Sequence, residues 1–257
     1  MISYFLTDTG RIRTHNEDSV TIVKNKKGEM LACVADGVGG HKAGEIASQI
    51  AINTITEAFK ETFKDLDKLS AINWLRQATT EVNNKIFSYV DKHEEAKGMG
   101  TTLVCALITK NYILIGNVGD SSGFAIKKEK LYKITYDHTL VNLLLKAGEI
   151  TEEEDKNHPK KNVLMKALGT NDPIEIDIFD CDLDIDGILL ASDGLTNMLD
   201  KEKIMTVLNS NEPIQDKVIK LIAKANNRGG TDNISVAYVD FKEGVKNLLF
   251  GAGHSGS

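Results

Sequence analysis

Apolar and polar positions along the chain follow two periods. Short apolar runs over 19–23 and 30–35 read as strands, the second closed by the glycine-rich turn Asp36-Gly37-Val38-Gly39-Gly40. Ile46, Ile50, Ala51, Ile55 and Phe59 recur at helical spacing and predict an amphipathic helix over 43–63. Trp74, Ala78, Val82, Ile86 and Tyr89 or Val90 predict a second over about 71–91. Strands follow over 101–108 and 112–118, joined by a turn at Lys110-Asn111, and then a hairpin of 123–127 with 130–135. Helical spacing returns over 140–148, and Thr151 with Glu154 three residues on has the form of a capping box. Strands over 174–181, 187–191 and 233–241 complete the chain, with helices over about 201–208 and 214–226 between the last two. Consecutive hairpins with helices arriving in pairs do not give the alternation of a doubly wound parallel sheet. They predict an α+β architecture with an antiparallel sheet or sandwich flanked by helices.

Composition narrows the picture. The 257 residues are 41% hydrophobic and 26% charged, which excludes collagen, coiled coil and disorder. No apolar run approaches the roughly 20 residues needed to span a bilayer. A net charge of −6 without a dense basic block argues against a nucleic-acid partner. Cys33, Cys105 and Cys181 are widely separated, none spaced as a pair, and read as buried free thiols. Together with a start lacking the basic and apolar regions of a signal peptide, they point to the cytoplasm. The length allows one large domain or two small ones, with a polar segment over about 143–171 that packs lightly on the core and a tail over 243–257.

The chemistry is carried by where the aspartates fall. Asp36, Asp120 and Asp193 end apolar runs, Asp232 precedes one after Gly229-Gly230-Thr231, and Asp18 stands before Ser-Val-Thr-Ile-Val. A single Asp-Gly is commonly turn chemistry, and Asp186-Gly187 is read that way. Five carboxylates at strand ends would repel one another if half-buried together, and hard divalent cations with oxygen ligands would relieve this. Such a site commonly activates water for attack at phosphorus. Gly37 to Lys42 fits neither a dinucleotide fingerprint nor a phosphate-binding P-loop, and no serine sits in a nucleophile elbow.

Arg13-Thr14-His15-Asn16-Glu17-Asp18, Ala35-Asp36-Gly37-Val38-Gly39-Gly40, Gly98-Met99-Gly100-Thr101-Thr102, Gly119-Asp120-Ser121, Ser192-Asp193-Gly194 and Thr231-Asp232-Asn233 occur in the order of the PP2C (PPM) metal-dependent serine/threonine phosphatases. The chain resembles that family over about residues 2–241, and Asp137-His138-Thr139 and Ala147-Gly148-Glu149-Ile150 resemble its bacterial branch. The resemblance implies a single domain over 1–242, a sandwich of two antiparallel sheets with helix pairs outside, in which about 143–171 is a flap beside the site. It implies two core Mn²⁺ or Mg²⁺ ions bridged by Asp36, with the Gly37 carbonyl, Asp193 and Asp232 as further ligands and Asp18 acting mostly through water. Asp120 with Asp193 would hold a third, weaker ion, Arg13 would grip the phosphate, and Asn233 would orient Asp232. A metal-bridging water would attack phosphorus in line without a covalent intermediate. Implied partners are phosphoproteins, including a Hanks-type kinase and its targets, acted on by a monomer.

Two positions depart from the broader family. Val38 replaces a histidine proposed there as general acid, leaving His41 as a weak candidate, and Ser122 replaces an arginine. A phosphoprotein-docking pseudophosphatase would show a missing metal ligand, and a nuclease would show clustered Lys/Arg. Neither signature is present. His138, beside Asp137, is read as a buttress for the loop above the site.

Overall fold

The computed structural model of the chain is described over residues 1–39, 43–151, 153–154, 158–161 and 163–242. One sheet has the order β1 (Ile2–Asp8), β11 (Ile234–Asp240), β10 (Gly187–Ala191), β7 (Ser122–Lys127), β8 (Lys130–Lys133). The other runs β2 (Asp18–Lys24), β3 (Met30–Val38), β5 (Leu103–Ile108), β6 (Ile113–Val118), β9 (Asp177–Cys181), with β4 (Gly100–Thr101) paired to the end of β3. Every pairing between these strands is antiparallel.

The apolar runs are continuous rather than alternating because both faces of each sheet are covered. On β3, Leu31, Cys33 and Ala35 face the helices α1 (Ala43–Thr62) and α2 (Lys68–Val90), while Met30, Ala32 and Val34 join a core shared with the other sheet. That inner core includes Val104, Ile115, Ile188, Leu190 and Val239. The outer face of the sheet containing β10 and β11 buries Leu189, Val236 and Tyr238 against α5 (Lys201–Leu208) and α6 (Ile214–Asn227). The result is helix pair, sheet, sheet, helix pair, as the hairpin pattern predicts. A short helix α3 (Leu140–Ala147) follows β8, and a single-turn helix α4 (Asp193–Thr196) follows β10.

Four differences from the sequence reading have physical causes. Residues 2–8, which showed no strand signal, form β1, an edge strand half-buried along its length and held by β11 in the register Ile2↔Asp240 to Asp8↔Ile234. The strand read over 101–108 breaks at Thr102, whose backbone N–H is drawn to the Asp36 carbonyl at 2.9 Å. Cys33 and Cys105, unpaired by spacing, stand directly opposite each other on β3 and β5 as buried free thiols. The polar segment 143–171 leaves Leu143, Val163 and Met165 exposed, yet its end is anchored rather than lightly packed. Leu168 exchanges two backbone bonds with Thr101, at 2.9 and 3.0 Å, and Gly169 N–H donates to Asn83 Oδ1 at 2.7 Å. The Thr151–Glu154 capping box forms as predicted: Thr151 N–H donates to Glu154 Oε2 at 2.8 Å, and Glu154 N–H returns to Thr151 Oγ1 at 3.3 Å.

Candidate active site

Antiparallel registry sends every singled-out aspartate to one end of the sandwich. Asp18 opens β2 and stands directly opposite Asp36 near the end of β3. Asp120 lies in the turn from β6 to β7, Asp193 opens α4 at the end of β10, and Asp232 precedes β11. The pairings Ala191↔Val236 and Ala191↔Ser122 bring the last three segments alongside one another. Like charges directly opposite across a ladder oppose folding unless something compensates.

The backbone beneath these carboxylates is fixed by short polar side chains. Thr102 Oγ1 accepts from Asp36 N–H at 3.0 Å and bonds Ser121 Oγ at 2.8 Å, while Thr101 Oγ1 donates to the Asp36 carbonyl at 2.9 Å. Ser192 Oγ donates to Asp18 Oδ2 at 2.7 Å and accepts from Ser235 N–H at 2.9 Å. Gly37 is required by space: a Cβ there would lie 2.1 Å from the Gly44 carbonyl oxygen and 2.6 Å from that of Glu17.

Burial and crowding shift the carboxyls upward. Asp36 is pushed well above the ordinary range by burial and then by the charges of Asp18, Asp193, Asp120 and Asp232. Burial lifts Asp18 to about 7, against the donors Ser192 and Ser235. Asp120 also rises to about 7, through burial and then repulsion from Asp193 and Asp137. Asp193 rises to about 6 through burial and the Asp232 charge, offset by the Asn197 amide and Arg13. Glu17 is raised too, chiefly by burial.

These residues suit a hard divalent cation. Their donors are all oxygen, and Asp18 Oδ1 and Asp193 Oδ1 are buried without a hydrogen-bond partner. Among the described residues, no three acidic, histidine or cysteine side chains stand in closed ligand geometry. The other oxygens of Asp18 and Asp193 are taken by Ser192 and Asn197, and Asp232 Oδ2 accepts from Arg13 at 2.9 Å.

Arg13 therefore reaches the cluster directly, with about half its side chain exposed (48%). Asn233 touches Asp232 and also holds the loop before Asp18. Its backbone N–H meets Asp232 Oδ1 at 2.9 Å. Its side chain donates to the carbonyls of Thr9 and His15 and accepts from Glu17 N–H, pinning the loop that carries Arg13. Val38 ends β3 and Ser122 starts β7, buried, with its hydroxyl unpartnered. His41 lies outside the described residues.

His138 is joined to the turn holding Asp120. Its Nδ1 accepts from Gly119 N–H at 2.9 Å, its own N–H donates to the Gly119 carbonyl at 3.0 Å, and Nε2 lies 3.1 Å from Asp177 Oδ2. Sequence reasoning missed Thr102, Ser192 and Asn117, the last donating to the carbonyls of Gly119 and Tyr136. The only signal was that Thr102 and Ser192 lie within the quoted motifs, Ser192 directly before Asp193; Asn117 had none. Asp186 behaves as turn chemistry: it accepts from Lys128 N–H and pairs with Lys242.

A family described as protein phosphatase 2C matches residues 11–224. The serine/threonine phosphatase stp of Listeria welshimeri is 43% identical over 241 residues, covering 93% of this chain and 96% of that one. Protein phosphatase PhpP of Streptococcus pneumoniae is 39% identical over 239 residues, with the same coverage. The crystal structure of serine/threonine phosphatase Stp1 from Staphylococcus aureus superposes with a TM-score of 0.88 at 36% identity, over 93% of this chain and 94% of that one.

Proposed function

Because the chain belongs to the protein phosphatase 2C family and is a metal-dependent serine/threonine protein phosphatase, we propose that the aspartate cluster at the sandwich end is its reaction centre. Its substrates are phosphoproteins. In our reading, Asp36, the Gly37 carbonyl, Asp193 and Asp232 hold two Mn²⁺ or Mg²⁺ ions, Asp18 supports them from beneath, and Asp120 with Asp193 takes a third. Bound divalent ions supply Lewis acidity at the phosphoryl group and water of lowered pKa.

The chain's own residues do the rest. Asp18 and Asp36, opposite each other in register, fix the floor of the centre on two rigid strands. Ser192 holds one Asp18 oxygen and leaves the other unpartnered. Arg13 offers a planar fork of donors to the phosphate of a phosphoserine or phosphothreonine and neutralises charge as it develops. Its bond to Asp232 puts that fork at the rim of the cluster. Val38 offers no proton to the leaving alcohol, so the proton must come from water or from another side chain.

The observation carrying this reading is the convergence of buried and half-buried carboxylates, two of their oxygens buried and unmatched, at one end of the sandwich. We further infer a monomer working in the cytoplasm against a Hanks-type kinase. Among the described residues no helix is long and apolar enough to cross a membrane. Turnover of a phosphothreonine peptide should vanish in EDTA and return with Mn²⁺ or Mg²⁺. Unchanged turnover after chelation would remove the metal ions from the reading.

A further inference from the structure

Four hydrogen bonds converge on His138, and they fix its chemistry. Gly119 N–H is a donor, so Nδ1 must be the unprotonated ring nitrogen, and Nε2 carries the proton given to Asp177. The other Asp177 oxygen faces Lys166 Nζ at 3.4 Å. The His138 carbonyl accepts from Met165 N–H at 2.8 Å. One face of this residue thus holds the backbone immediately before Asp120, and the other holds β9 and the end of the polar segment.

We propose that His138 is a positioning residue that ties the Gly119–Asp120 turn to the Met165–Lys166 stretch and β9, so that Asp120 and the neighbouring segment move as one body. The proposal rests on the assignment of Asp120 to the metal centre. Gly119 shows why the turn needs a clamp. Its φ of +103° suits glycine, and its N–H and carbonyl both close on His138, while Asn117 adds a second donor to the same carbonyl. Among the described residues Asp120 makes no salt bridge, and Lys133, whose charge reaches it, is paired with Asp137 at 2.6 Å. Its position is therefore set by the backbone that His138 grips. A substrate that displaced the Met165–Lys166 stretch would move Asp120 with it.

Two substitutions separate the halves of the clamp. His138→Asn keeps an acceptor near the Nδ1 position but cannot reach Asp177. His138→Gln places an amide near the Nε2 position and leaves Gly119 N–H without its acceptor. Both are read by calorimetric Mn²⁺ titration and by hydrogen exchange of the Gly119 amide in chelated protein, after thermal melts confirm folding. His138→Gln should weaken the weakest Mn²⁺ site about tenfold, the order found when a partner behind a metal ligand is removed, and should speed Gly119 exchange. His138→Asn should keep Mn²⁺ affinity within about twofold of native, yet release residues 163–168 to exchange. Native Mn²⁺ affinity with native Gly119 exchange in His138→Gln, or identical behaviour of the two variants, would overturn the clamp. The exchange measurement needs neither metal nor turnover, so it stands apart from failure of the phosphatase assignment itself.

Discussion

The two ends of the sandwich carry the same residue type in opposite states. At one end Asp18 is buried with Asp36, Asp120 and Asp193 half-buried beside it, and their carboxyls are pushed upward. At the other, Asp184 and Asp65 are exposed and each takes a lysine: Lys127 donates to Asp184 at 2.8 Å and Lys27 to Asp65 at 2.7 Å. These bonds hold both carboxyls below the ordinary range. Asp186, also followed by glycine, is likewise paired with a lysine, Lys242. An aspartate at a strand end is therefore not diagnostic; burial without a matching cation is. The first end spends folding energy to keep charge unmatched, the signature of a place where another cation belongs.

The largest break in this contrast comes from Asp36. It stands opposite Asp18, and four neighbouring aspartates act on it. Asp36→Asn should lower phosphopeptide turnover about 10³-fold or more, the order lost when one preorganised charge-stabilising group is removed. The same substitution removes a repelled buried charge, so the melting temperature in EDTA should hold or rise. Loss of activity accompanied by loss of fold would show a structural carboxylate instead.

Arg13 is bonded to Asp232 of the rich end, and its effect should be second in size. Arg13→Ala should reduce kcat/KM about 10- to 100-fold, the equivalent of a charge-assisted hydrogen bond, chiefly through KM if ground and transition states use the contact equally. Lysine should rescue only part, since it keeps the charge without the fork. The 2.9 Å bond to Asp232 sharpens the test. Mn²⁺ affinity that is unchanged or slightly raised in Arg13→Ala, against a marked loss in Asp193→Ala, would separate phosphate from metal. Equal metal loss in both would merge the two roles.

The fold was legible where burial is two-sided. β5 and β10 are unbroken apolar runs, β3 and β6 are apolar up to Asp36 and Asn117, and the 3.6-residue spacing located α1 and α2. β1 was not legible, because an edge strand buries itself only partly and its signal lies in pairing with β11, over two hundred residues away. The aspartates were legible from their places at run ends and from the family motifs. What holds them was not: Thr102, Ser192 and Asn233 act through backbone groups of other segments, and spacing along the chain carries no trace of those contacts. Cys33 and Cys105 give the same lesson without chemistry, meeting only because β3 and β5 pair in that register.

The smallest expected effect is on stability, and its sign differs between the ends. Asp18 and Asp120 near 7 and Asp193 near 6 bind protons more tightly folded than unfolded, where aspartate titrates near 4. Their stabilising contribution is fully present below about 4 and is lost as pH rises through about 6 to 7. The chelated protein should therefore melt at a lower temperature at pH 8 than at pH 5. Added Mn²⁺ replaces those protons, so its stabilisation should be larger at pH 8 than at pH 5. Asp184, held down by Lys127, has the opposite sign: its contribution is present above the unfolded value and lost on acidification. Because that pair is exposed, Asp184→Asn should leave the whole pH profile unchanged within measurement. Melting curves of native, Asp120→Asn and Asp184→Asn proteins, with EDTA and with Mn²⁺, test the asymmetry. A flat profile in EDTA for the native protein, or a loss of slope in Asp184→Asn but not in Asp120→Asn, would mean that the buried carboxylates are already compensated and that the two ends do not differ in kind.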